Sequence, residues 1–180
     1  DSVRPDVPAM LAGLKKQGVS RLVMLTGDKE EVGKKVAESI GITHVFGNLL
    51  PGDKVAKVEQ LLAEKPEGKT LAFVGDGIND APVLAGADVG AAMGSGADAA
   101  IEAADVVFMT SSTEAIPQSI LISRATNRIA IQNVVFALVI KIAVMILGLC
   151  GFASMWMAVF ADTGVAMLCV LNSIRVLYKK

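Results

Sequence analysis

The hydrophobic pattern changes character near residue 128. Before that point apolar residues alternate between helical spacing and short compact runs. After it they merge into two long stretches separated by a brief turn. Val7, Met10, Leu11 and Leu14 lie at helical spacing, with Pro8 near the start and Gly18 just past the end, which predicts a helix over 7–17. The run Arg21 to Leu25 stops at Thr26-Gly27-Asp28, and a second helical pattern follows with Val32, Val36, Ala37 and Ile40 turned inward. The cycle repeats: a strand over 43–46, a helix over 53–64 burying Val55, Val58, Leu61 and Leu62, and a strand over 70–74. The loop Gly75-Asp-Gly-Ile-Asn-Asp-Ala-Pro82 leads into another helix. Strands over 89–93 and 106–109 flank an Ala-rich helix around 98–104. Such alternation implies a mainly parallel sheet covered by helices, with ligand sites at the carboxyl ends of the strands. Both Gly-Asp loops fall at such ends.

The second regime is different in kind. From Ile129 to Leu177 the only charged side chains are Lys141, Asp162 and Arg175. The stretches 129–150 and 155–177 each match the roughly 20 residues that cross a bilayer core. Composition agrees, since 53% hydrophobic residues and a mean hydropathy of +0.55 exceed what a soluble domain shows. The expected organisation is an α/β unit over 1–112, a connecting helix over 113–128, a span over 129–150, a turn over 151–154, a last span over 155–177 and a tail over 178–180. Basic residues flank the outer ends of the hairpin, with Arg124 and Arg128 before it and Lys179 and Lys180 after it, while the turn carries none. The positive-inside rule then puts the turn outside and the α/β unit and both chain ends in the cytoplasm, in a plasma (inner) membrane. A net charge of −1 gives no basic surface for nucleic acid. Cys150 and Cys169 are not a close-spaced pair, so a disulfide framework is not expected. The N-terminus, without Met or a signal segment, reads as a piece of something longer.

The loops carry the candidate chemistry. Thr26-Gly27-Asp28 offers a hydroxyl and accessible backbone N–H groups to an oxyanion, although a lone Thr-Gly-Asp is equally a glycine turn with Asp28 as a helix cap. Gly75-Asp76-Gly77-Ile78-Asn79-Asp80 places two carboxylates and an amide in one loop after an apolar strand. Hard oxygen ligands beside anion-binding backbone suit Mg²⁺ on a phosphoryl group, while a turn residue and a helix cap remain the structural alternative for Asp76 and Asp80.

Taken in order, Thr-Gly-Asp, Leu50-Pro51-Gly52-Asp53-Lys54 and Gly-Asp-Gly-Ile-Asn-Asp-Ala-Pro resemble the later half of the phosphorylation domain of P-type ATPases, a haloacid-dehalogenase-like fold. The resemblance covers nearly the whole chain. It implies that Thr26 and Gly27 bind the transferred phosphoryl group, with Asp28 in the same catalytic loop. It also implies that Lys54 neutralises the phosphoryl charge, that Asp76 holds Mg²⁺, and that Asn79 and Asp80 complete the phosphate and metal site. The substrate implied by the resemblance is ATP. The family's phosphorylated Asp, in its Asp-Lys-Thr-Gly-Thr motif, and the nucleotide domain are not in this chain, so the piece alone is expected to be inactive and its sheet to lack a central strand. The implied partners are the remainder of the same pump, namely earlier transmembrane helices, actuator and nucleotide domains, together with the lipid bilayer.

Ionisable residues inside a span are costly, about 2.5–3.5 kcal/mol on insertion scales, and are functional candidates by default. Lys141 lies about ten residues before the turn and Asp162 about ten after it, so a hairpin sets both at one depth, about 15 Å from the turn. They either brace the two helices or serve a crossing cation, with Asp162 as ligand and Lys141 as counter-charge. Asp162-Thr163-Gly164 with a Lys in the preceding helix resembles the zinc, cadmium and lead branch of the heavy-metal ATPases, which implies transport of Zn²⁺, Cd²⁺ or Pb²⁺. Met145, Met155, Met157, Met167 and Cys169 are read as packing and His44 as structural. Two other readings stay open: a phosphohydrolase of the same fold anchored by a membrane hairpin, and an inactive regulatory or structural piece.

Overall fold

The computed structural model describes residues 3–94, 97–110, 112–152 and 154–178. It divides into two compact units, Asp1–Pro117 and Gln118–Lys180.

The first unit is built from repeated strand-and-helix steps. Helix α1 (Val7–Lys16) has Pro8 in its first turn, buries Leu11 and Leu14, and stops at Gly18 with φ 81°. Strand β1 (Val23–Leu25) pairs in parallel with β2 (His44–Phe46), Val23 opposite His44 and Leu25 opposite Phe46. Between them α2 (Glu30–Ile40) ends on Gly41, whose φ of 76° suits the left-handed cap. The inward face of α2 departs from the pattern at one residue. Ala37 is buried and Val36 and Ile40 are half-buried, whereas Val32 is 49% exposed and Gly33 is buried. A Cβ on Gly33 would stand 3.0 Å from Thr26 Cγ2 and 3.2 Å from Val45 Cγ1, so the contact face is set by close backbone approach rather than by the largest apolar side chains.

Helix α3 (Pro51–Glu64) buries Val58 and Leu61. Strand β3 (Ala72–Gly75) pairs with β4 (Val89–Met93), which pairs with β5 (Val106–Phe108), all in parallel. Strand β4 is buried from Gly90 to Met93, and its alternate residues serve opposite faces. Ala92 packs with Leu84 of α4 (Ala81–Gly86) and Ala100 of α5 (Asp98–Ala103), while Ala91 and Met93 pack with Phe108. The described strands therefore form two parallel ladders, β1-β2 and β3-β4-β5, rather than one sheet. Parallel strands are normally covered on both faces, yet Val74 in β3 is 40% exposed.

The connecting helix and the first expected span are continuous. Helix α6 (Ala115–Leu149) is one uninterrupted helix of 35 residues, so the boundary expected at 128/129 falls inside it. At about 1.5 Å per residue it is about 52 Å long, well beyond a hydrocarbon core of about 30 Å. Gly151, with φ 80°, makes the turn, and Ser154 Oγ caps the next helix by accepting from Met157 N at 3.3 Å. The final span, Met155–Tyr178, is not regular. It comprises α7 (Met155–Val159), a π turn over Phe160–Gly164, α8 (Val165–Ser173) and a tightly wound end over Ile174–Tyr178. Mean hydropathy reaches 2.3 in α6 and 1.7 in the final span, so both are long and apolar enough to cross a membrane.

Candidate phosphate and cation sites

The loop after β1 is shaped by its own side chains. Thr26 Oγ1 accepts from the Asp28 backbone N–H at 3.1 Å and donates to Asp28 Oδ2 at 3.3 Å, which closes a tight turn. Thr26 is half-buried, whereas Gly27 and Asp28 are exposed. The turn is held to the segment after β2 by backbone bonds, Asn48 N to Asp28 O at 2.7 Å and Leu49 N to Thr26 O at 3.2 Å. A Cβ on Gly27 would meet Leu49 O at 3.3 Å, so the glycine permits this approach. Asn48 takes φ 55°, a left-handed conformation that Asn tolerates.

That segment leads directly into α3. Pro51 occupies its first turn, and Asp53 Oδ2 accepts from Leu50 N at 2.9 Å, so the helix start is fixed. Lys54 follows in the first turn and reaches across to the Gly75–Asp80 loop. Its Nζ donates to Asp80 Oδ1 at 2.8 Å, with only 19% and 12% of the two side chains exposed. Asp80 Oδ2 also accepts from Gly77 N at 3.3 Å. Gly75 is required here, because a Cβ would stand 2.9 Å from Asp80 Cβ. Asp76 and Asn79 are exposed, and Asp76 O accepts from Ala97 N at 3.0 Å.

The structure thus brings Lys54 and Asp80 into contact. It joins Thr26, Gly27 and Asp28 to the base of α3 through Asn48 and Leu49, and it leaves Asp76 and Asn79 open at the loop surface. One supporting residue, Asn48, went unnoticed in the sequence, and Asp53 stood in the quoted Leu50–Lys54 motif without a role. Asp53 had a legible signal, since an acid three positions into a helix that opens with Pro is a capping pattern.

In the second unit, Lys141 Nζ donates to Asp162 Oδ1 at 3.2 Å. The two residues come from α6 and from the π turn of the last span. A π turn carries one extra residue and loosens the local backbone ladder, a feature frequent at functional sites. Cys169 Sγ lies 3.7 Å from the Asn133 carbonyl, and His44 is exposed, its Nδ1 3.0 Å from Thr43 Oγ1.

Known proteins match this chain over nearly its whole length. The family model of haloacid dehalogenase-like hydrolases matches residues 1–88. A zinc-transporting ATPase of Synechocystis sp. is 51% identical over 178 residues, covering 98% of this chain and 24% of that protein. A crystal structure of a zinc-transporting PIB-type ATPase in an E2.Pi state superposes with a TM-score of 0.88 at 38% identity, over 98% of this chain and 28% of that one. The chain belongs to the heavy-metal P-type ATPases. A cadmium, zinc and cobalt-transporting ATPase of Bacillus subtilis is 49% identical over 181 residues, 100% of this chain and 26% of that protein. The chain spans about a quarter of the length of these curated relatives. In this P-type ATPase segment a haloacid-dehalogenase-like parallel α/β unit is followed by two long apolar helices, those of a membrane protein.

Proposed function

We propose that the intact protein is an ATP-driven exporter of Zn²⁺ or Cd²⁺, with Pb²⁺ as a further substrate, working through an aspartyl-phosphate intermediate. The observation that carries the cation reading is the 3.2 Å contact between Lys141 and Asp162 in two apolar spans. A carboxylate placed there is a hard, charged ligand for a divalent ion, and its counter-charge is already in reach. The Lys141–Asp162 bond then corresponds to the cation-free condition: the ammonium neutralises the carboxylate once the ion has left. Binding of an ion at Asp162 requires that bond to open, which the long, flexible lysine stem allows.

In the α/β unit, Thr26 and Gly27 would bind phosphoryl oxygens, through the N–H of the exposed Gly27 and through the Thr26 hydroxyl once it releases Asp28. Lys54 supplies positive charge there, and Asp80 fixes its position. Asp76, Asp80 and Asn79 fit Mg²⁺ by donor chemistry, since they bring hard oxygen donors to one loop and this ion uses one or two carboxylates together with phosphate oxygens and water. When bound, the ion neutralises charge on the phosphoryl oxygens. Asp80 is already engaged by Lys54 and Gly77, so Asp76, exposed at the loop surface, is the leading ligand. The polypeptide beyond this chain would supply the phosphorylated Asp, the nucleotide and actuator domains and the earlier spans. The α/β unit, assigned to 1–112, and both ends of the hairpin face the cytoplasm in this reading.

In the intact pump, Asp162→Ala and Lys141→Ala should each remove most zinc-stimulated ATP hydrolysis. Unimpaired zinc transport by Asp162→Ala would refute the cation role. Asp76→Ala should abolish Mg²⁺-dependent phosphoenzyme formation, and a normal phosphoenzyme level in that variant would remove the residue from the metal site.

A further inference from the structure

A second polar contact joins the two spans, at a distance from the ion pair. Asn133 of α6 donates through Nδ2 to the Cys169 carbonyl at 3.1 Å and to Ser173 Oγ at 2.9 Å. Its Oδ1 accepts from Asn172 Nδ2 at 2.8 Å. Asn172 Oδ1 in turn accepts from Arg175 Nη1 at 3.0 Å, and Ser173 Oγ donates to the Cys169 carbonyl at 2.9 Å. Both functions of the Asn133 amide are therefore used, and all of its side-chain partners come from the opposite span. Polar networks that link two apolar helices specify one arrangement when every member is satisfied.

Geometry relates this network to the ion pair. Asn133 precedes Lys141 by eight residues, about 12 Å along α6. In an antiparallel pair, the position opposite Asn133 in the register that puts Lys141 against Asp162 is Val170, or Leu171 once the additional residue of the π turn is counted. The observed partners, Cys169, Asn172 and Ser173, bracket that position. One register satisfies both contacts. The contacts differ in tolerance, however. The lysine stem has four rotatable carbons and follows a sliding helix by several ångströms, whereas an asparagine amide is short and directional. The ion pair alone cannot fix how far one span has slid along the other; the amide network can.

We infer that Asn133 and Asn172 are positioning residues for the cation site: they set the register of the two spans and so hold Lys141 and Asp162 at matched depth. Neither touches the cation. The inference rests on the proposed transport role of Asp162. Losing the network leaves the spans intact but lets Asp162 drift from its place, so apparent cation affinity suffers more than maximal turnover.

The test is zinc-stimulated ATP hydrolysis by the intact pump, measured against zinc concentration for the parent, Asn133→Leu and Asn172→Leu. Leucine favours membrane insertion, so these variants should reach the membrane. The zinc concentration for half-maximal stimulation should rise about three- to tenfold, the scale of an interhelical polar contact, with maximal turnover retained within about twofold. Ser173→Ala leaves Asn133 bonded to the Cys169 carbonyl and Asn172, and should shift the curve by less. An unchanged half-maximal zinc concentration in both asparagine variants overturns the inference, as does a loss confined to maximal turnover or to the amount of protein in the membrane. A parent pump that shows no response to zinc overturns the proposed function instead, and the two failures are distinct.

Discussion

At the scale of single residues, the α/β unit turns on which charges are paired out of water. Asp80 is 8% exposed, and its partners are Lys54 and the Gly77 N–H. Asp80→Ala leaves the Lys54 ammonium without its anion in a half-buried place and should cost about 3 kcal/mol, read as a lower urea midpoint by pulse proteolysis. Asp80→Asn keeps one acceptor oxygen, enough for only one of the two donors, and should cost less than Asp80→Ala. Asp6 behaves differently. Hydrogen bonds from the Thr113 backbone N–H and from Arg4 lower its pKa from the ordinary 3.8 to about 2. A depressed carboxylate stabilises the fold when ionised, so its contribution is complete above pH 4 and is lost as pH falls from about 4 through about 2. Urea midpoints of the parent and Asp6→Asn should therefore differ at pH 7 and converge near pH 2. The Lys54–Asp80 contact was not legible from local sequence, because a first-turn lysine is ordinarily solvated and its partner lies 26 residues away. Only the order of the motifs singled it out. Nothing in the sequence marks Asp6, whose partner Thr113 is 107 residues on.

At the scale of elements, period and punctuation were enough to find nearly every strand and helix of the first unit, since Pro8, Gly18, Gly41 and Pro51 stand at helix ends. What periodicity does not encode is how closely two backbones approach. Gly33 takes the contact that Val32 was expected to make. Gly90 shows the same logic in β4, where an added Cβ would collide with the Leu84 carbonyl of α4. Gly90→Ala should destabilise the unit by about 1–3 kcal/mol, because backbone rather than a flexible side chain must move; a urea midpoint equal to the parent's would show that α4 yields freely. The division between connecting helix and span left no mark in the backbone, since nothing between Gln118 and Leu147 breaks a helix. The π turn was invisible for the converse reason: Phe160 to Gly164 reads as ordinary helix, and only packing shows the irregularity.

At the scale of the whole molecule, hydropathy alone separated two units because a bilayer and water demand opposite surfaces, and that contrast survives any error in element boundaries. The proposed topology makes a direct prediction. Cys150 is exposed beside the turn, whereas Cys169 is half-buried against Asn133. A membrane-impermeant maleimide added outside intact cells should label Cys150 and leave Cys169 unmodified; labelling of Cys150 only after lysis would invert the orientation. The split between the β1-β2 and β3-β4-β5 ladders was not legible from periodicity, which shows where strands are and not which strands pair. The π turn carries one more consequence. Its surplus residue is absorbed as a bulge within the span. Deleting one codon between Ala161 and Gly164 while sparing Asp162 should let the turn rewind as α-helix, leaving Cys169, Asn172 and Ser173 near their present phase but re-aiming the Asp162 carboxylate. A one-residue deletion is therefore expected to act on the direction of that carboxylate and not on the pairing of the two spans.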